Sequence, residues 1–116
     1  MKARTTTAAA KTKERPATEA DDVAQLIARL TTGIEAAPED ATLYGQRAET
    51  YYAQGAYDHA LADATRAVEL ASDVGVHYLH RGRIFAAMGL RSAARQDFQR
   101  GASLGDALAQ KELRTL

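Results

Sequence analysis

Several residue types that support particular functions are missing from this chain. It has no cysteine and no asparagine, so a disulfide framework, a thiolate metal site and an N-glycosylation acceptor are all excluded. It has no run of about 18 apolar residues that could cross a membrane, and the N-terminal TTTAAA is too short and polar for a secretory signal. We therefore expect a soluble cytoplasmic protein with no membrane partner.

The charge of the chain is balanced overall but unevenly distributed. Its formal net charge is zero, yet the first 20 residues carry five basic and two acidic groups, which leaves a net charge of −3 on the remainder. A nucleic-acid-binding surface needs a clustered basic face, and a mildly acidic body does not provide one. We expect no nucleic-acid partner. The basic segment is interpreted as a solvated linker, with contact to phosphates or acidic surfaces as the alternative.

Residues 1–17 form a basic tail that we expect to be disordered. After Met1 the tail has no large apolar side chain, so it cannot bury enough surface to offset the entropy lost on ordering. The folded domain is expected to span residues 18–116. It begins at Thr18, whose hydroxyl can cap a helix together with Asp21, three residues further on.

The spacing of apolar residues predicts an all-α fold. An apolar stripe at helical spacing runs from Val23 to Ile34, and helical patterns of about 14 residues then alternate with short breaks. The breaks at Gly55, Gly89 and Gly105 are interpreted as helix ends, not as a phosphate-binding loop. No segment alternates apolar and polar residues for long enough to form a strand.

Two stretches of the chain repeat the same residue types at an interval of 34. They are YGQRAETYYAQGAYDHALADATRAVEL, from Tyr44, and YLHRGRIFAAMGLRSAARQDFQRGASL, from Tyr78. If position 1 is placed at Ala41 and Gly75, about nine positions of the pattern fall in register. The nine pairs are Tyr44/Tyr78, Arg47/Arg81, Ala48/Gly82, Tyr51/Phe85, Gly55/Gly89, Ala60/Ala94, Ala64/Phe98, Ala67/Gly101 and Leu70/Leu104.

This pattern resembles the tetratricopeptide repeat (TPR), in which 34 residues form one helical hairpin. The resemblance implies a short solenoid of stacked antiparallel hairpins, with repeats at 41–74 and 75–108 and flanking helices at 18–37 and 106–116. Small residues at positions 8, 20 and 27 would let two helices approach, and bulky residues at positions 4, 11 and 24 would fill the space between them. The chain departs from the pattern where Tyr replaces Trp at position 4 and Arg replaces Leu at position 7. A generic helical bundle with chance periodicity is the alternative.

The two arginines at position 7 replace an apolar residue and therefore each need a carboxylate nearby. A charge that is half-buried between helices is tolerated only when it is paired. Asp63 and Asp97 lie 16 residues after Arg47 and Arg81. We predict the structural ion pairs Arg47–Asp63 and Arg81–Asp97 within the hairpins, with Arg81–Asp63 between repeats as the alternative.

The resemblance also implies a function, which is the binding of another protein without catalysis or a cofactor. In this family the first helix of each repeat lines a concave groove. The groove residues implied here are Gln46, Glu49 and Tyr52 in the first repeat, Leu79, His80 and Arg83 in the second, and Gln110, Leu113 and Arg114 in the terminal helix.

We expect the groove to hold a peptide or a partner helix that offers an apolar anchor and at least one acidic group, with micromolar affinity. Replacing Arg83 with Glu is expected to weaken binding without unfolding the protein. The alternative is a structural subunit that associates weakly with copies of itself through exposed solenoid ends. Outward-facing Leu113 and Leu116 would favour that alternative.

Other sites suggested by the sequence are less well supported. The family's clamp for the carboxylate of a chaperone's EEVD tail uses Asn, Lys and Arg where this chain has Gln46, Val76 and His80, so we do not expect it to bind such a tail. His77 and His80, three residues apart on one helix, could bind a metal with His59. Without cysteine they are more often surface residues, and we expect no metal site.

Overall fold

A computed structural model of the protein describes residues 16–116, which form six helices and no strand. The helices are α1 (Glu19–Ala36), α2 (Ala41–Ala53), α3 (Tyr57–Leu70), α4 (Gly75–Ala87), α5 (Arg91–Ser103) and α6 (Ala107–Thr115). The all-α prediction is confirmed, and α2 and α4 begin at the two residues where the 34-residue frame starts. Disorder was predicted for residues 1–17. Most of that segment, residues 1–15, lies outside the described residues, and Pro16 and Ala17 are exposed.

The ends of the helices follow from local sequence signals. Thr18 caps α1: its hydroxyl accepts a hydrogen bond from the backbone of Asp21 at 3.1 Å, and the Asp21 carboxylate accepts one from the backbone of Thr18 at 3.2 Å. After α2, α4 and α5 the chain turns at Gly55, Gly89 and Gly105, with φ of +77°, +81° and +93°. A residue with a Cβ is strained in this conformation, which is why glycine ends these helices.

The helices stack as two hairpins with an additional helix at each end. α2 pairs with α3 and α4 pairs with α5, while α3 packs on α4 and α5 packs on α6. The first helices of successive units, α2, α4 and α6, also contact one another in series. This series forms one face of a short solenoid, the concave face expected from the repeat pattern. At the N-terminal end α1 packs on α2.

Two small apolar clusters hold the stack together. One contains Ala48, Ala60, Ala64 and Ile84, and the other contains Leu79, Ala94, Phe98 and Ala109. The repeat explains why their side chains differ in size. Position 8 and position 24 are both alanine in the first repeat, whereas the second repeat combines Gly82 with Phe98. The bulky side chain expected at position 24 is thus present only in the second repeat.

Tyr44 and Tyr78, at position 4 of the two repeats, each form a hydrogen bond through the phenol hydroxyl, a group that tryptophan lacks. The Tyr44 hydroxyl donates to the carbonyl oxygen of Pro38 at 3.0 Å, and the Tyr78 hydroxyl donates to that of Ser72 at 2.9 Å. Each bond spans six residues and ties the first helix of a repeat to the loop before it. Each phenol therefore satisfies a loop carbonyl.

Both predicted ion pairs are present, and both are bidentate. Arg47 donates to Asp63 through Nε at 2.7 Å and through Nη2 at 2.8 Å, and it also donates from Nη1 to the Thr31 hydroxyl at 3.1 Å. Arg81 donates to Asp97 through Nε at 2.8 Å and through Nη2 at 2.9 Å. The hydrogen bond to the carboxylate raises the pKa of each arginine. Both carboxylates are buried, and the side chains of Arg47 and Arg81 are 19% and 21% exposed. Each pair therefore joins the two helices of its hairpin at a site that is partly shielded from water.

Candidate functional site

The centre of the concave face is a pocket between α2 and α4. Glu49 and Tyr52 project into it from α2, and His80 and Arg83 project into it from α4, above a floor of Ala48 and Ile84. The pocket has a volume of ≈ 180 Å³. Four of the residues implied by the repeat pattern therefore meet at one place. The floor is apolar and the rim is charged on both sides.

A second recess continues from this pocket toward the C-terminal end of the solenoid. It lies between Tyr52 and Arg83 on one side and α6 on the other, where Glu112, Thr115 and Leu116 line it. Tyr52 borders both recesses and is 36% exposed, so it is an accessible aromatic side chain on the concave face. Thr115 and Leu116 were not expected in the groove, because the short α6 provides too little of a repeat to place them.

Arg83 is not a free cation in this groove. Its Nε donates to Oε2 of Glu112 at 2.6 Å, which connects α4 with α6 across the concave face. The two residues are 29 positions apart, outside the 16-residue spacing of the other pairs, so no periodic signal in the sequence points to this contact. Replacing Arg83 with Glu would place two carboxylates together, and the variant would therefore affect the packing of α6 as well as binding.

Leu79 does not line an accessible groove, and this expectation was wrong. Its side chain is 1% exposed and packs with Ala94, Phe98 and Ala109. Position 5 of α4 faces the next helix of the stack, and α6 covers it.

Leu113 and Leu116 also turn inward and pack against the same cluster as Leu79. Gln110 and Arg114, in contrast, are exposed on α6 and do not border the recesses described above. α6 thus covers the core with its apolar side. Its part in the concave face comes chiefly from Glu112 and Thr115.

The two histidines of α4, His77 and His80, were expected to be surface residues, but the structure buries them. His77 is 5% exposed and the His80 side chain is 13% exposed. Burial lowers the pKa of both, and His80 lowers that of His77 further. For His80, burial outweighs the carboxylates of Glu49 and Asp106, which act in the opposite direction, while Arg83 adds to the lowering. Both rings are therefore neutral at pH 7.

The histidines lie in a cleft of ≈ 320 Å³ between the start of α2 and the start of α4. Gln46 and Glu49 border it from α2, and Val74 and Val76 border it at the start of α4. Within residues 16–116 no three histidine, aspartate or glutamate side chains lie close enough together to hold a metal ion. None of the helices between Glu19 and Thr115 has the length and apolar character needed to cross a bilayer.

Comparisons with known proteins agree with this architecture. No family model matches the sequence. The sequence is 38% identical over 101 residues to Tetratricopeptide repeat protein 36 of Xenopus tropicalis, which covers 84% of this chain and 50% of that protein. The human protein of the same name is 36% identical and is covered to 53%. The chain thus spans about half the length of the curated relatives it matches.

A solved structure extends the similarity to three dimensions. The second TPR domain of the human RPAP3 protein, in complex with the HSP70 peptide SGPTIEEVD, is 31% identical and superposes with a TM-score of 0.71. The match covers 77% of this chain and 76% of that domain.

Proposed function

The chain belongs to the tetratricopeptide repeat family, and from this premise we propose that it is a protein-interaction module. Its concave groove holds a short peptide or a helix of a partner protein, and no chemistry is carried out there. This proposal is supported by the pocket between α2 and α4 and by the similarity to the RPAP3 domain, which is in complex with a peptide.

The observation that carries the proposal is the position of Tyr52. It is a partly exposed aromatic side chain that stands between two recesses, beside a floor of Ala48 and Ile84. Aromatic residues at the centre of an apolar patch supply much of the energy of protein interfaces, whereas charges at the rim mainly orient the partner. Glu49 and Arg83 form such a rim. An apolar side chain of the partner would pack against Tyr52, and an acidic group would compete with Glu112 for Arg83.

The partner is proposed to differ from the EEVD-ending peptide that is in complex with the RPAP3 domain. Gln46, Val76 and His80 occupy the positions where the family's carboxylate clamp has Asn, Lys and Arg. In this structure the same positions border the cleft that also contains Glu49. A C-terminal carboxylate would meet a neutral imidazole, a valine and another carboxylate there, so it would lose affinity.

Self-association is the second candidate, and one observation at the N-terminal end favours it. There Val23, Leu26 and Leu30 of α1 border an open apolar recess beside Gln46 and Thr50 of α2. A second copy could cover this recess. At the other end of the solenoid Leu113 and Leu116 of α6 pack inward, while Leu108 of the same helix is 52% exposed. Sedimentation velocity over a concentration range tests this candidate, since the variant Leu26→Glu should abolish any dimer.

Selection of random linear peptides by display on the purified chain tests the main proposal. Selected peptides are expected to bind with micromolar Kd, because so short a groove cannot bury a large area. Tyr52→Ala should weaken binding about tenfold or more, as expected for a central aromatic anchor. Leu90→Ala is the matched control, since Leu90 is an exposed apolar residue outside the groove. The peptide SRMEEVD, which is bound in a related domain, should bind weakly.

The outcome of this selection decides the proposal. If no peptide depends on Tyr52, or if bound peptides protect only the outer helices α3 and α5 from amide exchange, the groove is not the binding site. Because Arg83→Glu perturbs α6, the role of Arg83 is better tested with Arg83→Gln. Its matched control is Glu112→Gln, which breaks the same ion pair but leaves the cation in the groove.

A further inference from the structure

The open recess at the N-terminal end of the solenoid lies where the repeat pattern has a first helix. Leu26 and Leu30 of α1 and Thr50 of α2 line this N-terminal recess, which has a volume of ≈ 560 Å³. α1 packs on α2 as α3 packs on α4, so α1 takes the place of the second helix of a repeat. Within residues 16–116 no first helix precedes it.

The first repeat shows what fills the equivalent place. Each of these three lining residues has a counterpart 34 positions later, and the counterparts are Ala60, Ala64 and Ile84 in that order. They form one buried cluster with Ala48, which stands at position 8 of the first helix α2. The N-terminal recess is therefore the place where a further first helix would bury its residue at position 8.

Position 24 limits the size of the residue at position 8. The first repeat combines Ala48 with Ala64 in one cluster. The second combines Gly82 with Phe98, and a Cβ on this glycine would lie 2.6 Å from the ring. When the 34-residue frame is continued backwards, position 24 of α1 is Leu30, whose side chain lies between these two in size. A helix that packs against it therefore has glycine or alanine at position 8.

Arg29 supplies the charge that selects the occupant. It stands at position 23 of α1, where the two repeats have Asp63 and Asp97 paired with the arginines at position 7. Arg29 is exposed and forms no ion pair with another residue between 16 and 116. Because the charge at position 23 is reversed in α1, a matching first helix carries a carboxylate at position 7.

Position 11 completes the pattern with an aromatic residue. Tyr51 and Phe85 stand there in the two repeats, and each packs against an apolar cluster of the stack. Position 11 follows positions 7 and 8 by four and three residues, so all three side chains lie on one face of a helix. The matching helix thus presents an acidic residue, a small residue, two residues of any type and an aromatic residue, in that order.

Neither a second copy nor the basic tail of this chain fits the pattern. The first helices α2, α4 and α6 have Arg47, Arg81 and Thr115 at position 7, and none of these is acidic. In the same frame the tail has Lys13 at position 7 and Glu14 at position 8. A lysine would be repelled by the cation of α1, and a glutamate would be unpaired in an apolar recess. The pattern describes a helix of another protein.

We propose that a helix of a partner protein docks in the N-terminal recess and forms a hairpin with α1. Its small residue packs on Leu26 and Leu30, and its carboxylate pairs with Arg29. Its aromatic residue lies near Val23, at the start of α1. This surface goes beyond the groove of the proposed function, because Tyr52 does not border it.

A peptide copied from α4 tests the inference. The probe has the sequence of residues 74–87 with Arg81→Glu, which gives Glu, Gly and Phe at positions 7, 8 and 11. A hydrocarbon staple replaces Val76 and His80, which border the cleft toward α2 in the chain, and keeps so short a peptide helical. The matched control is the same stapled peptide with the native Arg81.

Fluorescence anisotropy compares the two peptides on wild type and on Arg29→Glu. The Glu peptide should bind wild type about tenfold more tightly than the Arg peptide, because it forms a charge-assisted pair where the control places two cations together. Arg29→Glu should reverse this preference. Since Arg29 is exposed, the variant does not disturb the core. Equal binding of both peptides to wild type, or a preference that persists in Arg29→Glu, would overturn the inference.

The apolar part of the docking site is tested separately. Leu26→Glu, with its fold verified by circular dichroism, should abolish binding of the Glu peptide, and so should Gly82→Leu within the peptide, since leucine exceeds the space at position 8. Amide shifts caused by the peptide should be confined to α1 and α2. Shifts confined to other helices, or unchanged binding to Leu26→Glu, would contradict the assignment.

Tyr52→Ala separates this inference from the proposed function. The variant should bind the Glu peptide as wild type does, while it loses the peptides selected by display on the groove. Dependence of the Glu peptide on Tyr52 would place it in the groove and overturn this inference alone. A wild-type dimer that Leu26→Glu dissociates would also overturn it, because a second copy would then occupy the recess. Failure to select any peptide that depends on Tyr52 would instead overturn the proposed function.

Discussion

Gly82→Ala is expected to destabilise the protein even though it places a better helix former inside α4. The close approach of α5 leaves no space for the new methyl group: a Cβ on Gly82 would lie 2.6 Å from Cε1 and 2.8 Å from Cδ1 of Phe98. Phe98 is buried and cannot move freely. The equivalent position of the first repeat already has an alanine, Ala48, because its partner there is the small Ala64 and not a phenylalanine.

Two opposing effects decide the magnitude. Overpacking a close-packed core costs about 1–3 kcal/mol. Alanine in place of glycine in a helix returns about 1 kcal/mol. Because both contacts are well below van der Waals distance, the upper part of the overpacking range applies. The net loss in free energy of unfolding should be about 1–2 kcal/mol.

Urea unfolding of four proteins tests this reasoning: wild type, Gly82→Ala, Phe98→Ala and the double variant. In the Phe98→Ala background both contacting ring atoms, Cδ1 and Cε1, are gone. Gly82→Ala should then become neutral or stabilising, and the two changes should couple by about 1–2 kcal/mol. Gly33→Ala, whose Cβ would meet only the flexible Leu43 side chain, should not destabilise. An equal loss from Gly82→Ala in both backgrounds would refute the steric explanation.

Three further predictions concern ionisable groups. Asp63→Ala should cost about 3 kcal/mol because Arg47 loses its partner between helices, whereas the double variant Arg47→Leu/Asp63→Leu should recover most of it in urea unfolding. The free energy of unfolding should fall as the pH drops below about 6.5. The histidines of the unfolded chain then bind protons, whereas the buried histidines of α4, whose pKa is lowered, do not. His77→Gln should reduce the dependence of stability on pH, and an unchanged dependence would contradict this explanation. Glu112→Gln should speed amide exchange in α6 up to about fivefold, since a half-exposed pair with Arg83 contributes at most about 1 kcal/mol. Unchanged exchange would mean that the pair does not stabilise α6.

The groove shows how far the sequence leads toward a site. The repeat pattern implies that Glu49, Tyr52, His80 and Arg83 share a face, and in the structure they border one pocket. It also places Leu79 on that face, where the structure instead buries it, because a single helical pattern does not indicate how much of its side the next helix covers.

The helices, their glycine ends and the ion pairs Arg47–Asp63 and Arg81–Asp97 were predicted from the sequence. These features depend on spacings of a few residues or on a 16-residue offset that recurs in both repeats, and such local relations leave a periodic signal. Tertiary structure alone decided that Arg83 meets Glu112, that Leu113 and Leu116 of α6 turn inward, and that His77 and His80 are buried. Those contacts join helices whose relative positions depend on the packing of the whole stack. They therefore leave no periodic signal in the sequence.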